Sequence, residues 1–201
     1  VAPRLAPDPD SLPPTRFGER LPAWRQAEWP QDLRVVGVHV HLHGYSEADR
    51  RTALAEAIAL VEHVRALGQP ADFIDIGGGV PMSYLKSREQ WENYLERIAS
   101  QRAGTGEPFT WKSDPLSNTY PFWQEPTRGQ WLDQLLSGEV PGYGTAGTAL
   151  RERDIALHLE PGRSLLDDCG VILTEVSFLK ERSDGLPLIG VAMNRTQCRT
   201  A

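Results

Sequence analysis

Three groups of residues carry the chemistry of a possible site. In "GVHVHLHG", His39, His41 and His43 recur every second residue. On a strand that spacing puts all three imidazoles on one face, and an H-x-H pair there can bind zinc or iron. "FIDIGGGVP" ends a short apolar run on Gly77, Gly78 and Gly79 before a proline. Glycine is costly to order and adds no packing. Three together therefore imply either a close approach to the backbone or a tight strand-to-helix connection. For a close approach, the backbone N–H groups of such a turn suit a phosphate, with the helix dipole favouring the anion. In "LEPGR", Pro161 and Gly162 shape a turn flanked by Glu160 and Arg163. Acid and arginine can face one site from its two sides, or form a structural ion pair across it. Arginine contacts to an anion are worth about 1.5–3 kcal/mol each.

The elements that must carry these groups follow from periodicity. "LRVVGVHVHLHG" reads as a strand with Val36, Val38, Val40 and Leu42 on one face and Gly37, His39, His41 and His43 on the other. Ser46 opens a helix, with Asp49 at the capping-box position. Leu54, Ile58, Val61, Val64 and Leu67 form its apolar stripe, and Gly68 with Pro70 ends it. "ADFIDI" is the next strand. A second helix is expected around "SREQWENYLERIASQ", with Trp91, Leu95 and Ile98 on one side. Residues 1–18 read as an extended segment and a proline-rich turn.

From about 103 to 149 the pattern dissolves into Gly, Pro, Ser and Thr with many aromatics, among them Trp111, Tyr120, Trp131 and Tyr143. There only "QWLDQLLS" reads as helical, and a structureless stretch of that length suggests a functional insertion or lid. "DIALHLEPGR" restores a strand. "GVILTEVSFLKER" and "LPLIGVAMN" then read as two strands around a polar turn at 183–185. Repeated strand–helix units with short apolar strands argue for a parallel sheet, most simply part of a (β/α)8 barrel. The last two strands would start an antiparallel β domain. In parallel α/β folds function gathers at the C-terminal strand ends, which is where His41, Gly77–Gly79 and Glu160–Arg163 fall.

Composition narrows the classes. The 201 residues are 40% hydrophobic and 24% charged, with net charge -6, a mean hydropathy of -0.41 and a pI near 5.4. These are values of a globular, water-soluble chain with no basic block for nucleic acid. No apolar run approaches the roughly 20 residues of a membrane span. Cys169 and Cys198 form neither a disulfide framework nor a C-x-x-C site, so a cytoplasmic protein is expected. The chain opens without methionine and closes soon after an apolar run, so either a piece of a longer protein or simply ragged ends is expected.

"RFG", "GVHVHLHG", "FIDIGGGVP" and "LEPGRSLLDDCGVILTEVSFLK", in this order and spacing, resemble the fold-type III pyridoxal-phosphate decarboxylases, the group of diaminopimelate, ornithine and biosynthetic arginine decarboxylases. The resemblance runs from Arg4 to about Asn194 and is weakest through 103–149. It implies an alanine-racemase-like barrel, represented here by its C-terminal half over 1–168, and the first strands of a β domain over 169–201. It implies pyridoxal 5'-phosphate as cofactor, a basic or diamino acid as the small-molecule substrate and a homodimer with shared sites. By the same resemblance Gly77, Gly78, Gly79, Gly162 and Arg163 would hold the cofactor phosphate. His41 would stack on the pyridine ring, and Glu160 would pair with its nitrogen. A carboxylate there keeps the nitrogen protonated and the ring electron-accepting, which suits decarboxylation; a racemase does better with arginine.

Several positions depart from the family. Its stacking histidine is followed by Gly-Ser, whose hydroxyl helps hold the phosphate; here His43-Gly44 stands there, with Ser46 as the nearest substitute. The Asp usual before Met-Asn is missing from "IGVAMN". The family's Schiff-base lysine lies before the matched part, and Lys86, Lys112 and Lys180 do not match it. Cys198 lacks the Gly-Pro flank of the family's catalytic cysteine. The chain alone is thus expected to be inactive. Two other functions stay open: a metal-dependent barrel hydrolase using His39, His41 and His158, and a non-catalytic homologue that binds the cofactor to buffer or deliver it. His39 and His43 are expected in structural hydrogen-bonded roles.

Overall fold

The computed structural model describes residues 1–30, 32–111, 114–116, 121–167, 169–194 and 196. Lys112, Tyr120 and Cys198 lie outside them. The chain divides into two compact units, Val1–Leu165 and Leu166–Ala201.

In the first unit, a short helix α1 (Leu21–Gln26) precedes strand β1 (Gly37–His39). Helix α2 (Glu47–Ala66) then leads to β2 (Phe73–Asp75), and β2 to helix α3 (Arg88–Ala103). Ser46 caps α2 as its spacing suggests, its Oγ accepting the Asp49 N–H at 3.1 Å. Gly68, at φ +81°, follows the last turn. The stripe Leu54, Ile58, Val61 and Val64 is fully buried, and each such side chain stabilises the fold by about 1.5–3 kcal/mol. Leu67, at the C-cap, is instead 55% exposed, and Leu95 on α3 is 44% exposed.

The stretch 103–149 is not structureless, contrary to its composition. It forms two hairpins, β3 (Thr110–Trp111) with β4 (Asp114–Pro115) and β5 (Glu139–Val140) with β6 (Gly144–Thr145). Helix α4 (Arg128–Ser137) covers the expected "QWLDQLLS", and α5 (Ala146–Glu152) is an addition. Trp131, Leu135, Val140, Ala146 and Ala149 from this stretch are buried in the main core.

Strand β7 (Ala156–His158) completes a parallel sheet of order β1-β2-β7. Its register aligns His39 with Asp75 and Asp75 with His158. Residue Arg4 adds a parallel bridge to His39 at the outer edge. The ladder runs past the strand ends, since the Glu160 N–H donates to the Gly77 carbonyl at 2.9 Å. Val38, Val40, Ile74 and Ile76 are buried on one face, within the core that the α2 stripe completes. The opposite face carries His39, His41, Phe73, His158 and Glu160. The first unit is therefore α/β, with its chemistry on the face away from the α2 core.

The second unit contains β8 (Val176–Glu181) and β9 (Pro187–Val191), paired antiparallel with a register shift between Val176 and Phe178. Gly185, at φ +82°, makes the turn expected at 183–185. No helix among the described residues is long and apolar enough to cross a membrane.

Candidate functional site

His41 follows β1, the glycines follow β2 and Glu160 follows β7, so three adjacent parallel strands deliver them to one end of the sheet. His41 Nδ1 lies 3.2 Å from Glu160 Oε2, a contact a donating Nδ1–H would satisfy. Both side chains are partly open, at 42% and 52% exposure. Gly77 sits beneath the pair with φ +69°. A Cβ on it would fall 2.5 Å from His41 Nδ1, and one on Gly78 would fall 3.1 Å from the Glu160 carbonyl oxygen. Absence of side chains on the loop is what lets the ring and the acid approach it.

The loop is fastened from both ends. Asp75 Oδ1 accepts the Gly77 N–H at 2.8 Å, and the Gly78 carbonyl accepts from Arg50 at 2.6 Å. Among the described residues the Gly78 and Gly79 N–H groups donate to no protein acceptor. Gly79, Glu160, Gly162 and Arg163 line one cavity of about 240 Å³ with Tyr45 and Tyr84. The Arg163 guanidinium carbon is 5.8 Å from the Tyr84 ring centroid. Gly162, at φ +55°, makes the turn between Glu160 and Arg163. His41 borders a second, wider cavity of about 720 Å³ with Arg4, Phe17, His43, Tyr45 and Gly79. Tyr45 and Gly79 thus border both cavities.

The histidines separate. His158 stacks on Phe73 with centroids 4.4 Å apart, while the ligand atoms of His39, His41 and Glu160 all lie within 4.8 Å of one another. A metal held here would therefore take Glu160 in place of the His158 expected from alternation. His39 Nε2 is buried without a hydrogen-bond partner among the described residues, so the structural hydrogen bond expected of His39 is not formed at that atom. Ser46 Oγ already accepts a backbone N–H as the α2 cap, which limits it as a substitute for the absent phosphate-holding hydroxyl.

Arg50 was not singled out by the sequence patterns. It is 1% exposed, and burial lowers its pKa from the ordinary arginine value, against the opposing effect of Asp49 and Glu47. The signal was available: Arg50, Leu54, Ile58 and Val61 form one continuous stripe, and a charge on an apolar stripe needs buried partners.

The chain is similar to known proteins along most of its length. A family model described as the pyridoxal binding domain of pyridoxal-dependent decarboxylases matches residues 14–109. An uncharacterized protein of Sinorhizobium fredii is 33% identical over 149 residues, covering 74% of this chain and 31% of the relative. A diaminopimelate decarboxylase of Neisseria meningitidis is 23% identical over 187 residues, covering 89% of the chain and 33% of the relative. The crystal structure of a diaminopimelate decarboxylase from Helicobacter pylori complexed with L-lysine matches the fold with a TM-score of 0.50 at 18% identity. That match covers 89% of this chain and 34% of the other. The chain spans about a third of the length of the curated relatives it matches.

Proposed function

The chain belongs to the fold-type III pyridoxal-phosphate decarboxylases, and from that premise we propose that it forms the cofactor site of an amino-acid decarboxylase. Gly77–Gly79, Gly162 and Arg163 hold the phosphate of pyridoxal 5'-phosphate, His41 lies on the pyridine ring, and Glu160 holds a proton on the ring nitrogen. Diaminopimelate, ornithine, arginine or a related amino acid is the substrate. The observation that carries this is the convergence of the parts. His41 and Glu160 meet at 3.2 Å above Gly77, while Gly79, Glu160, Gly162 and Arg163 share one cavity.

These residues suit that cofactor on physical grounds. A loop with no side chains and two N–H groups without protein acceptors can receive a phosphate, and Arg163 lines the same cavity. When bound, pyridoxal phosphate supplies the electron sink for the bond broken as the α-carboxylate leaves as carbon dioxide. Glu160, as a carboxylate, favours a protonated pyridine nitrogen. His41 covers the ring and helps fix the Glu160 side chain. The Schiff-base lysine and the catalytic cysteine come from parts of the family's length that this chain does not match. On this proposal residues 1–168 are part of the barrel and 169–201 begin the β domain, in a cytoplasmic homodimer. The parallel order β1-β2-β7 supports the barrel assignment.

The test is a visible absorbance spectrum of the full-length protein, before and after a panel of amino acids, with carbon dioxide measured in parallel. A cofactor band and carbon dioxide release are expected. Glu160→Gln should keep the band and lose about 100-fold or more of the release. A band with no release from any amino acid would favour a non-catalytic cofactor carrier. Stoichiometric zinc or iron with no band would favour a metal-dependent hydrolase, a function to which the 4.8 Å cluster of His39, His41 and Glu160 gives a ligand set.

A further inference from the structure

Arg50 belongs to none of the strand ends, yet it holds both loops that border the cavity. Its Nη2 donates to the carbonyls of Gly78 at 2.6 Å and Gly44 at 3.0 Å, and its Nη1 donates to Ser46 at 2.9 Å. Trp131 backs the same guanidinium, whose carbon is 5.4 Å from the indole centroid. The Trp131 Nε1–H donates to the Tyr45 carbonyl at 2.8 Å. One buried cation therefore ties residues 44–46, which lead into α2, to the glycine loop after β2. A Cβ on Gly79 would run into that guanidinium and the Gly44 carbonyl, so the parts are in close contact.

A trans peptide sets its C=O and N–H on opposite sides of the chain. Neither Gly44–Tyr45 nor Gly78–Gly79 is among the cis bonds. With the Gly44 and Gly78 oxygens drawn onto Arg50, the Tyr45 and Gly79 N–H groups are turned the other way. Tyr45 and Gly79 both line the cavity with Glu160, Gly162 and Arg163. Among the described residues neither N–H donates to a protein acceptor. We infer that Arg50 is a positioning residue for an anion subsite: from behind two peptide planes it aims the Tyr45 and Gly79 N–H groups at a phosphate and polarises both toward it. This rests on the cofactor assignment made above. It also accounts for how the chain manages without the hydroxyl that Gly44 displaces, since backbone N–H groups supply the donors. Lysine could not reproduce the arrangement, because a point ammonium lacks the fork that spans three carbonyls.

The experiment compares the native full-length protein, stripped of cofactor, with Arg50→Lys and Arg50→Gln. Affinities for pyridoxal phosphate and for pyridoxal, which lacks the phosphate, are measured by fluorescence quenching. The native preference for the phosphorylated form should fall at least about tenfold in Arg50→Lys and further in Arg50→Gln, with pyridoxal affinity changed by less than about twofold. Equal losses for both ligands, or no loss for either, would mean that Arg50 only packs, and would overturn the inference. Should Arg50→Gln fail to fold, Arg50→Lys gives the same comparison. A native protein that binds neither form removes the cofactor assignment, and inorganic phosphate then decides the inference alone. Phosphate should raise the native melting temperature and not that of Arg50→Lys, whereas the same response in both would sink the clamp.

Discussion

Gly77 shows how far a single position controls the candidate site. Its φ of +69° lies in the left-handed region, and its missing Cβ leaves room for the His41 ring. Gly77→Ala therefore meets two penalties, strain of about 1–2 kcal/mol and displacement of His41 away from Glu160. Gly68→Ala separates them, because Gly68 has a similar φ of +81° but open space where its Cβ would go. Urea unfolding should show a larger loss for Gly77→Ala than for Gly68→Ala, and cofactor affinity should fall only in the former. Equal behaviour of the two variants would show that the ring does not depend on the glycine. At this scale, the strand-end positions of His41 and Glu160 were legible in the sequence, and the structure brings the two side chains together. Alternation placed His158 on the same face as Glu160, but its stacking on Phe73 of the adjacent strand is a contact that spacing within one strand cannot report. Arg50 lies on α2, outside any strand alternation, and there a charge on the apolar stripe was the sign.

Elements whose buried face carries branched apolar residues were legible, and the alanine-faced helix α5 was not. Val36, Val38 and Val40 in and around β1, and the α2 stripe, identified strand and helix because leucine, isoleucine and valine mark a buried face. Helix α5 was missed because its inner face is Ala146, Ala149 and Leu150, and alanine barely distinguishes a buried face from an exposed one. The contacts that hold α5 in place were likewise invisible, being side chains from distant elements. Arg153, the α5 C-cap, donates from Nε to Glu62 of α2 at 2.8 Å and lies 4.7 Å from the Tyr143 ring centroid. The Tyr143 hydroxyl reaches the same Glu62 at 3.4 Å. Burial, then the Glu62 carboxylate, pushes the Tyr143 pKa above its ordinary value of 10.0. A folded-state pKa raised above the unfolded one means that the protonated phenol is favoured by folding. Its stabilising contribution is complete below pH 10 and disappears as pH rises through the folded-state value. Thermal melts across the alkaline range should therefore fall more steeply for the native protein than for Tyr143→Phe. Parallel curves would show that the phenol is not coupled to folding.

At the scale of the whole molecule, the two units differ in what they can hold together. Among the described residues, every buried member of the main apolar core lies between Leu5 and Ile155, inside the unit Val1–Leu165 that also carries the candidate site. That core joins stretches far apart in sequence, so it was legible only as a pattern of strand–helix repeats and not as a set of contacts. The unit Leu166–Ala201 offers a two-stranded ribbon in which β8 is exposed along its whole length, with Leu179 at 72% and Ile189 at 65% exposure. Two strands alone are marginal in water, because one hairpin buries too little apolar surface to offset the entropy of ordering it. The sequence signalled these strands through their β-branched and aromatic residues, which also call for a partner surface. A peptide spanning residues 166–201 is accordingly expected to show no stable sheet by far-UV circular dichroism and no dispersion of its amide resonances. Dilution should leave both measurements unchanged, since association of ribbons would otherwise hide the deficit. A dispersed, concentration-independent spectrum would show that the ribbon is self-sufficient, and its exposed apolar residues would then need another explanation than a covering β domain.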